Sequence, residues 1–317
     1  MLNWIVVGIG DITRKRVIPA ILAESRSRLQ GVVTRDPDKA AAYGVSAWTT
    51  IEEALTQPLI DAVYVASPVF LHAEQTIKAL RAGKHVLCEK PMALNYQQAC
   101  EMQRVAEETG RSLGIAYYRR MYPKVRRAME LLAAGVIGKP VVAEINCHDW
   151  FNDEAGTRTW LLDPAKSGGG PLYDIASHRI DLLNFLFGTP ARATGYISNL
   201  IHFNKVEDNA TVLVDYESGL RGIIDVRWHS RIPRDEFRIR GVEGVMDLTP
   251  LNGPDLAFPG GSEHLPAHPN LHFPCIENFV SAVLDGAPLA ATGSSSLLTD
   301  RVTGWVTEHA AIRYHGT

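Results

Sequence analysis

The sequence predicts two joined architectures. An α/β N-terminal domain forms a doubly wound parallel sheet of Rossmann type, and an α+β C-terminal domain stands on a large, mostly antiparallel open sheet. Three observations predict them. A short apolar run, Trp4-Ile5-Val6-Val7, delivers the chain into Gly8-Ile9-Gly10. Strand-like and helix-like stretches then alternate as far as Ala116, which builds a parallel sheet covered on both faces. Beyond Arg120 the alternation stops, and strand-like runs follow one another across short turns, as antiparallel pairing requires. This divides the chain into a dinucleotide-binding domain over 1–120 and a substrate-binding and oligomerisation domain over 121–317.

A buried strand that feeds a Gly-x-Gly turn into a helix opens a dinucleotide-binding βαβ unit. Gly8 permits the tight turn and Gly10 lets backbone approach a pyrophosphate, with Ile9, Asp11 and Ile12 in the same turn. Thr13 stands where the third glycine of that fingerprint belongs, and Pro19 predicts a bend or a short helix. Further strands are predicted at Leu29–Val33, Ala62–Ala66, Lys84–Cys88 and Ser112–Ala116. Helical patterns lie between them at Pro37–Tyr43, Ile51–Leu55, Leu71–Arg81 and Tyr96–Glu108.

Ligands of such sheets bind at the carboxyl ends of the strands. Thr34-Arg35 ends the second strand, where an NAD-specific site carries an acid. A hydroxyl followed by a guanidinium offers a donor and a fixed charge to a 2′-phosphate, so NADP(H) is expected to be preferred, NAD(H) being accepted more weakly. The other reading leaves Arg35 in solvent and gives the ribose to Asp36. Ser67-Pro68 ends the third clear strand and Glu89-Lys90-Pro91 the fourth. A lysine there can hydrogen-bond both the nicotinamide ribose and a substrate hydroxyl.

The second motif is Gly168-Gly169-Gly170-Pro171 before a helical run that Gly188 stops. Glycines let another group approach the backbone, and Pro171 suits a first helical position. Asp174, His178 and Asp181 are spaced i, i+4, i+7 on one helix face. A carboxylate and an imidazole so placed can hold a hydroxyl and move its proton. In the second domain a helix over Tyr122–Ala133 leads to a strand over Val141–His148. Strands follow at Ala193–Ser198, Ala210–Tyr216, Gly222–His229, Phe237–Arg240 and Gly244–Leu248. Ile223, Val226 and Trp228 are expected to supply an apolar sheet face for dimerisation. His148-Asp149-Trp150 is a candidate edge of the substrate pocket; Asn252 to Pro269 reads as a long loop or lid, and Leu297 to Tyr314 as a final helix.

Composition narrows the function. Net charge is −3 with acids and bases mixed along the chain, which leaves no basic stripe for nucleic acid. The 4 cysteines form no CxxC pair, so neither a zinc site nor a disulfide framework is expected, and the scattered His202, His229, His264, His268 and His272 are assigned no metal. No apolar run reaches the ~20 residues that span a bilayer. A cytoplasmic protein is expected.

The chain resembles the Gfo/Idh/MocA oxidoreductases, a family named for glucose-fructose oxidoreductase, inositol dehydrogenase and a rhizopine-catabolism protein. The likeness rests on Gly8-Ile9-Gly10, Ala66-Ser67-Pro68 with Leu71-His72, and Ala82-Gly83-Lys84-His85-Val86-Leu87-Cys88-Glu89-Lys90-Pro91. Tyr117-Tyr118-Arg119-Arg120 with Pro123, Gly135-Val136-Ile137-Gly138, Trp160, and Gly168-Gly169-Gly170 through Asp174 and His178 continue it. The resemblance implies a pyridine-nucleotide enzyme acting on a sugar, polyol or related hydroxyl or carbonyl compound. It further implies cofactor contacts from Ser67, Pro68, Leu71, His72, Glu89, Lys90, Arg120 and Trp160. By the same likeness Lys90 meets cofactor and substrate, Asp174 holds the reacting hydroxyl and His178 moves its proton. Asp181 is expected to orient the imidazole. Leu161 follows Trp160 where many relatives carry arginine, and Arg158 is the substitute within reach. Two other readings stay open: a glycosidase that retains its nucleotide and oxidises transiently, and a non-enzymatic nucleotide-binding regulator.

Overall fold

The computed structural model describes residues 1–154, 156, 158–202, 204–309 and 313–314. The chain forms two compact units, one of 1–118 with 268–297 and the other of 119–267 with 298–317. The return of 268–297 to the first unit is something a single boundary at 120 does not express.

The first unit holds β1 (Leu2–Val7), β2 (Ser27–Val33), β3 (Ser46–Trp48), β4 (Ala62–Val65), β5 (His85–Cys88) and β6 (Leu113–Ile115) in the order β3-β2-β1-β4-β5-β6. Every pairing is parallel. Between the strands lie α1 (Ile18–Ala23), α2 (Pro37–Ala41), α3 (Ile51–Leu55), α4 (His72–Arg81) and α5 (Tyr96–Thr109). β1 and β4 are buried along nearly their whole length, as strands covered on both faces must be. β3, too short and too exposed to show a pattern, was not expected. The helix at Pro19 is short, as expected: α1 has 6 residues with the proline in its first turn, and a π-helical turn over Thr13–Val17 precedes it, Ile18 N–H donating to Thr13 O. Proline has no N–H to continue an α-helical ladder, so the ladder is reset just before it.

In the second unit α6 (Pro123–Ala133) leads to β7 (Pro140–Trp150), then come α7 (Pro164–Ser167) and α8 (Ser177–Phe187). Strands follow as β8 (Pro190–Asn199), β9 (Asn209–Tyr216), β10 (Arg221–Arg227), β11 (His229–Gly241), β12 (Val245–Asp247), β13 (Asp255–Phe258) and β14 (Gly261–His264). After α9 (Phe273–Asp285) and α10 (Gly293–His309) comes β15 (Arg313–Tyr314). The sheet runs β14-β13-β12-β11-β7-β10-β9-β8-β15, mostly antiparallel, with parallel pairs β7–β10 and β8–β15.

Three expectations need correction. The lid over 252–269 contains the hairpin β13–β14, whose Pro259-Gly260 turn explains the glycine and proline content. The final helix ends at His309; 310–312 lie outside the described residues, and 313–314 are strand. Ile223, Val226 and Trp228 do not share one sheet face, because side chains alternate along a strand. Val226 and Trp228 are buried on the side that α8 covers, where a Cβ on Gly222 would come 2.8 Å from Leu183. Ile223 alone of the three faces outward, among cross-strand ion pairs such as Asp215 with Arg192 and Arg221 (2.7 Å each) and Arg240 with Glu144 (2.6 Å).

Candidate functional site

In the first unit the strand ends are tied together by buried side chains. Gly8 has φ 90°, and a Cβ there would lie 2.8 Å from Ala66 O, so only glycine lets β1 turn beside the end of β4. At Gly10 a Cβ would meet nothing within 4 Å, which leaves room beside the backbone for another group. Thr13 explains the missing third glycine. Its hydroxyl accepts from Gly10 N (2.8 Å) and lies 2.9 Å from Gly10 O, closing the turn from inside. The Asp11 carboxylate pairs with Arg14 (2.5 Å) and Lys15 (2.9 Å) out in solvent, so any anion contact here belongs to the turn's backbone. A pyrophosphate fits this turn, because the open side of Gly10 and the helix start provide space and dipole together.

At the end of β2, Thr34 Oγ1 accepts from Asp36 N (3.2 Å). Asp36 caps α2, accepting from Asp38 N (3.1 Å), and pairs with Lys39 (3.3 Å). The acid that competes for the ribose is thus engaged, while Arg35 is exposed.

His72 and Glu89, expected at the cofactor, are buried struts. Both ring nitrogens of His72 face carbonyls, Ser67 O at 2.8 Å and Pro91 O at 3.0 Å, so one imidazole joins two strand-end turns. Burial holds its pKa below the usual histidine value. Glu89 Oε1 accepts from Tyr64 OH (2.7 Å) and faces His272 Nε2 (3.2 Å); Oε2 accepts from Lys90 N (3.3 Å). Burial works to raise the Glu89 pKa, but the bonds from His272 and Tyr64 outweigh it and hold the carboxyl below its ordinary range. Lys90 is half-buried beyond this strut, Ser67 donates to Gln75 Oε1 (2.6 Å), and Leu71 closes the short turn Val69–Leu71 after Pro68. Sequence reasoning missed His272, which lies 183 residues from its partner and carries no local signal.

In the second unit the glycine loop is filled by the protein itself. A Cβ at Gly168 or Gly169 would strike the Tyr173 ring (2.5 and 2.6 Å), and one at Gly170 would lie 2.0 Å from Glu207 O. Glu207 Oε1 accepts from Leu172 N at 3.1 Å. A π-helical turn over Leu172–Ala176 passes into α8. Along this face exposure falls steeply, from the Asp174 side chain at 24% through His178, 6% exposed, to Asp181 at 1%. Asp174 lies 3.4 Å from Arg158 Nη2, and that guanidinium sits 5.2 Å above the Phe151 ring.

Asp181, expected to orient the His178 imidazole, and Arg120, expected at the cofactor, are partners of one another. Arg120 donates to the two Asp181 oxygens from Nε (2.9 Å) and Nη2 (2.5 Å), and both residues are buried. A charge pair so desolvated persists only because its fork geometry satisfies both partners. Arg119 reaches the same helix by a longer route. It donates to Asn252 Oδ1 (3.2 and 3.1 Å), Asn252 donates to Asp235 Oδ2 (2.8 Å), and Asp235 Oδ1 accepts from Arg179 (3.0 Å). Trp160 packs with Leu161, Val206 and Trp228. His148 points to the outer sheet face and meets Asp225 at 2.7 Å, while Asp149 is exposed. Among the described residues no group of three or more His, Cys, Asp or Glu could hold a metal ion, and no helix is long and apolar enough to cross a membrane.

Two family models match the chain: "Oxidoreductase family, NAD-binding Rossmann fold" over 2–117 and "GFO/IDH/MocA C-terminal domain" over 125–247. A 1,5-anhydro-D-fructose reductase of Ensifer adhaerens is 32% identical over 312 residues, covering 94% of this chain and 92% of that protein. A trans-1,2-dihydrobenzene-1,2-diol dehydrogenase of Mus musculus is 27% identical over 84% of this chain and 80% of its own. Among solved structures, an aldose-aldose oxidoreductase from Caulobacter crescentus in complex with glycerol shares the fold (TM-score 0.85, 24% identity, 95% of each chain).

Proposed function

We propose, since the chain belongs to the Gfo/Idh/MocA oxidoreductase family, that it is an NADP(H)-dependent enzyme moving a hydride to or from a hydroxyl or carbonyl carbon of a sugar, polyol or related compound. The observation that carries this reading is the chain-long likeness to a reductase of an anhydro-sugar. Lys90 at the end of β5, and Asp174 and His178 on one helix, agree with it.

When bound, the nucleotide supplies or accepts the hydride at nicotinamide C4. The chain must orient the reacting carbon and handle one proton. Asp174, the more exposed acid of its helix, accepts a hydrogen bond from the substrate hydroxyl. His178 takes the proton in oxidation and returns it in reduction, a task for which imidazole suits neutral pH. Lys90 stabilises the developing alkoxide. Preference for the 2′-phosphate rests on exposed Arg35 beside an Asp36 already spent on its helix cap and on Lys39. A homo-oligomer through the outer sheet face belongs to the same reading, held by its ion-pair ladders with exposed Tyr196 and Leu213. Sedimentation as a monomer at micromolar concentration would remove that element.

The test is a screen of sugars, keto-sugars and polyols, following reduced-cofactor absorbance with NADPH and NADH in parallel. Turnover of at least one sugar with a lower KM for NADPH is expected. No turnover of any member, or NADH binding at least as tightly, overturns the activity or the cofactor preference respectively.

A further inference from the structure

Glu207 lies in the turn between β8 and β9 and is 3% exposed. Its carboxyl enters the concavity left by Gly168-Gly169-Gly170, where a Cβ on Gly169 would be 3.1 Å from Oε2. Oε1 accepts from Leu172 N (3.1 Å), and the Gly170 amide bonds the same carboxylate. Leu172 N is a first-turn amide of the segment that carries Asp174 and His178, one that a helix leaves unsatisfied unless something caps it, and Gly170 lies just ahead of that turn. An N-cap comes normally from the preceding residues; here it comes from 35 residues away.

We propose that Glu207 is the positioning residue of this site: by capping the glycine turn it sets where Asp174 and His178 stand for the proton transfer. The glycines follow from that role, because a side chain at Gly170 would expel the Glu207 backbone from its seat. The titratable groups that face the carboxyl are Asp208, beside it in the chain, and Tyr173, which also feels Asp300. Burial, with Asp208 adding to it, pushes the Glu207 acid up to about 7. Its charge therefore changes near neutral pH, and a neutral carboxyl is a weaker acceptor for the two amides.

This role rests on the proposed reaction, so the experiment has one arm that needs no substrate. Full-length wild type, Glu207→Gln and Glu207→Asp are compared by amide hydrogen exchange over 170–178, NADPH titration, and the pH profile of kcat with whichever sugar the wild type turns over. Expected are faster exchange over 170–178 by roughly tenfold, kcat lower by on the order of 10²-fold from misplaced groups with NADPH affinity unchanged, and loss of a kcat inflection near neutrality in Glu207→Gln. A variant that only melts earlier, with 170–178 exchange and the kcat profile of the wild type, overturns the proposal. Should neither variant fold, wild-type exchange over 170–178 between pH 6 and 8 decides: protection that changes there supports the cap, and protection that stays constant sinks it. If the wild type turns over no sugar, the reaction falls while the exchange arm still rules on Glu207.

Discussion

Two helices of this protein begin alike and differ in what they admit. Each starts behind glycine and enters through a π-helical turn, Thr13–Val17 in one unit and Leu172–Ala176 in the other. At the first, the Gly10 side of the turn is open and Thr13 closes the rest from within. At the second, Tyr173 and Glu207 fill the space completely enough that a Cβ has nowhere to go. The first start leaves room beside its backbone, whereas the second is filled by a carboxyl of the chain itself. Glycine before a helix announces close approach without saying whose.

The largest effect expected on that contrast comes from the chemistry of the second start. His178→Ala should lower turnover by roughly 10²–10⁴-fold while leaving NADPH affinity in place. Unchanged turnover in steady-state assays would take the imidazole out of the reaction and leave the second helix without its function.

The filled start should also betray itself in stability. The Glu207 acid sits at about 7 against an ordinary 4.5. Below pH ~4.5 both folded and unfolded chains keep this proton, so the full stability is present; it is lost as pH rises through 7, by roughly 3 kcal/mol. Glu207→Gln cannot ionise, so its melting temperature should gain on the wild type from pH 5 to pH 8. A constant difference across that range would show that the carboxyl does not titrate there.

A pair of glycine variants probes the contrast symmetrically. Gly170→Ala must displace Glu207 and should destabilise the fold by about 1–3 kcal/mol in denaturant melts. Gly10→Ala meets no protein atom, and Gly10 is outside the left-handed region, so its stability should stay within about 0.5 kcal/mol while NADPH binding weakens. If both variants melt alike, the distinction between open and filled starts is lost. The smallest effect expected is at the nucleotide's far end: Arg35→Ser should cut the NADPH-over-NADH preference by about tenfold, read by fluorescence titration.

The parallel sheet was legible because its central strands, buried on both faces, are continuous apolar runs such as Trp4–Val7 and Ala62–Val65. Strand ends follow from that, and so do Gly8, Gly10, Thr34-Arg35 and Lys90. The second sheet was legible in kind but not in facing. Ile223 and Val226 were read as neighbours on one surface, although residues three apart on a strand point opposite ways. What stayed hidden were the long-range polar partners. Glu89 with His272, Arg120 with Asp181 and Glu207 with Leu172 join segments distant in the chain, and no periodicity marks a buried ion pair or a remote cap. His72, Glu89 and Arg120, expected to touch ligand, also hold the scaffold, a role that motif spacing does not show because it cannot separate a group that contacts the ligand from one that fixes its neighbour.

The central claim is that His178, at the start of α8, moves the proton of the reacting substrate oxygen. A crystal structure of the ternary complex with NADP⁺ and a reactive sugar tests it most directly. The account predicts an imidazole nitrogen of His178 within about 3 Å of the oxygen on the carbon that faces nicotinamide C4. A sugar bound with its reacting oxygen away from the imidazole would contradict it.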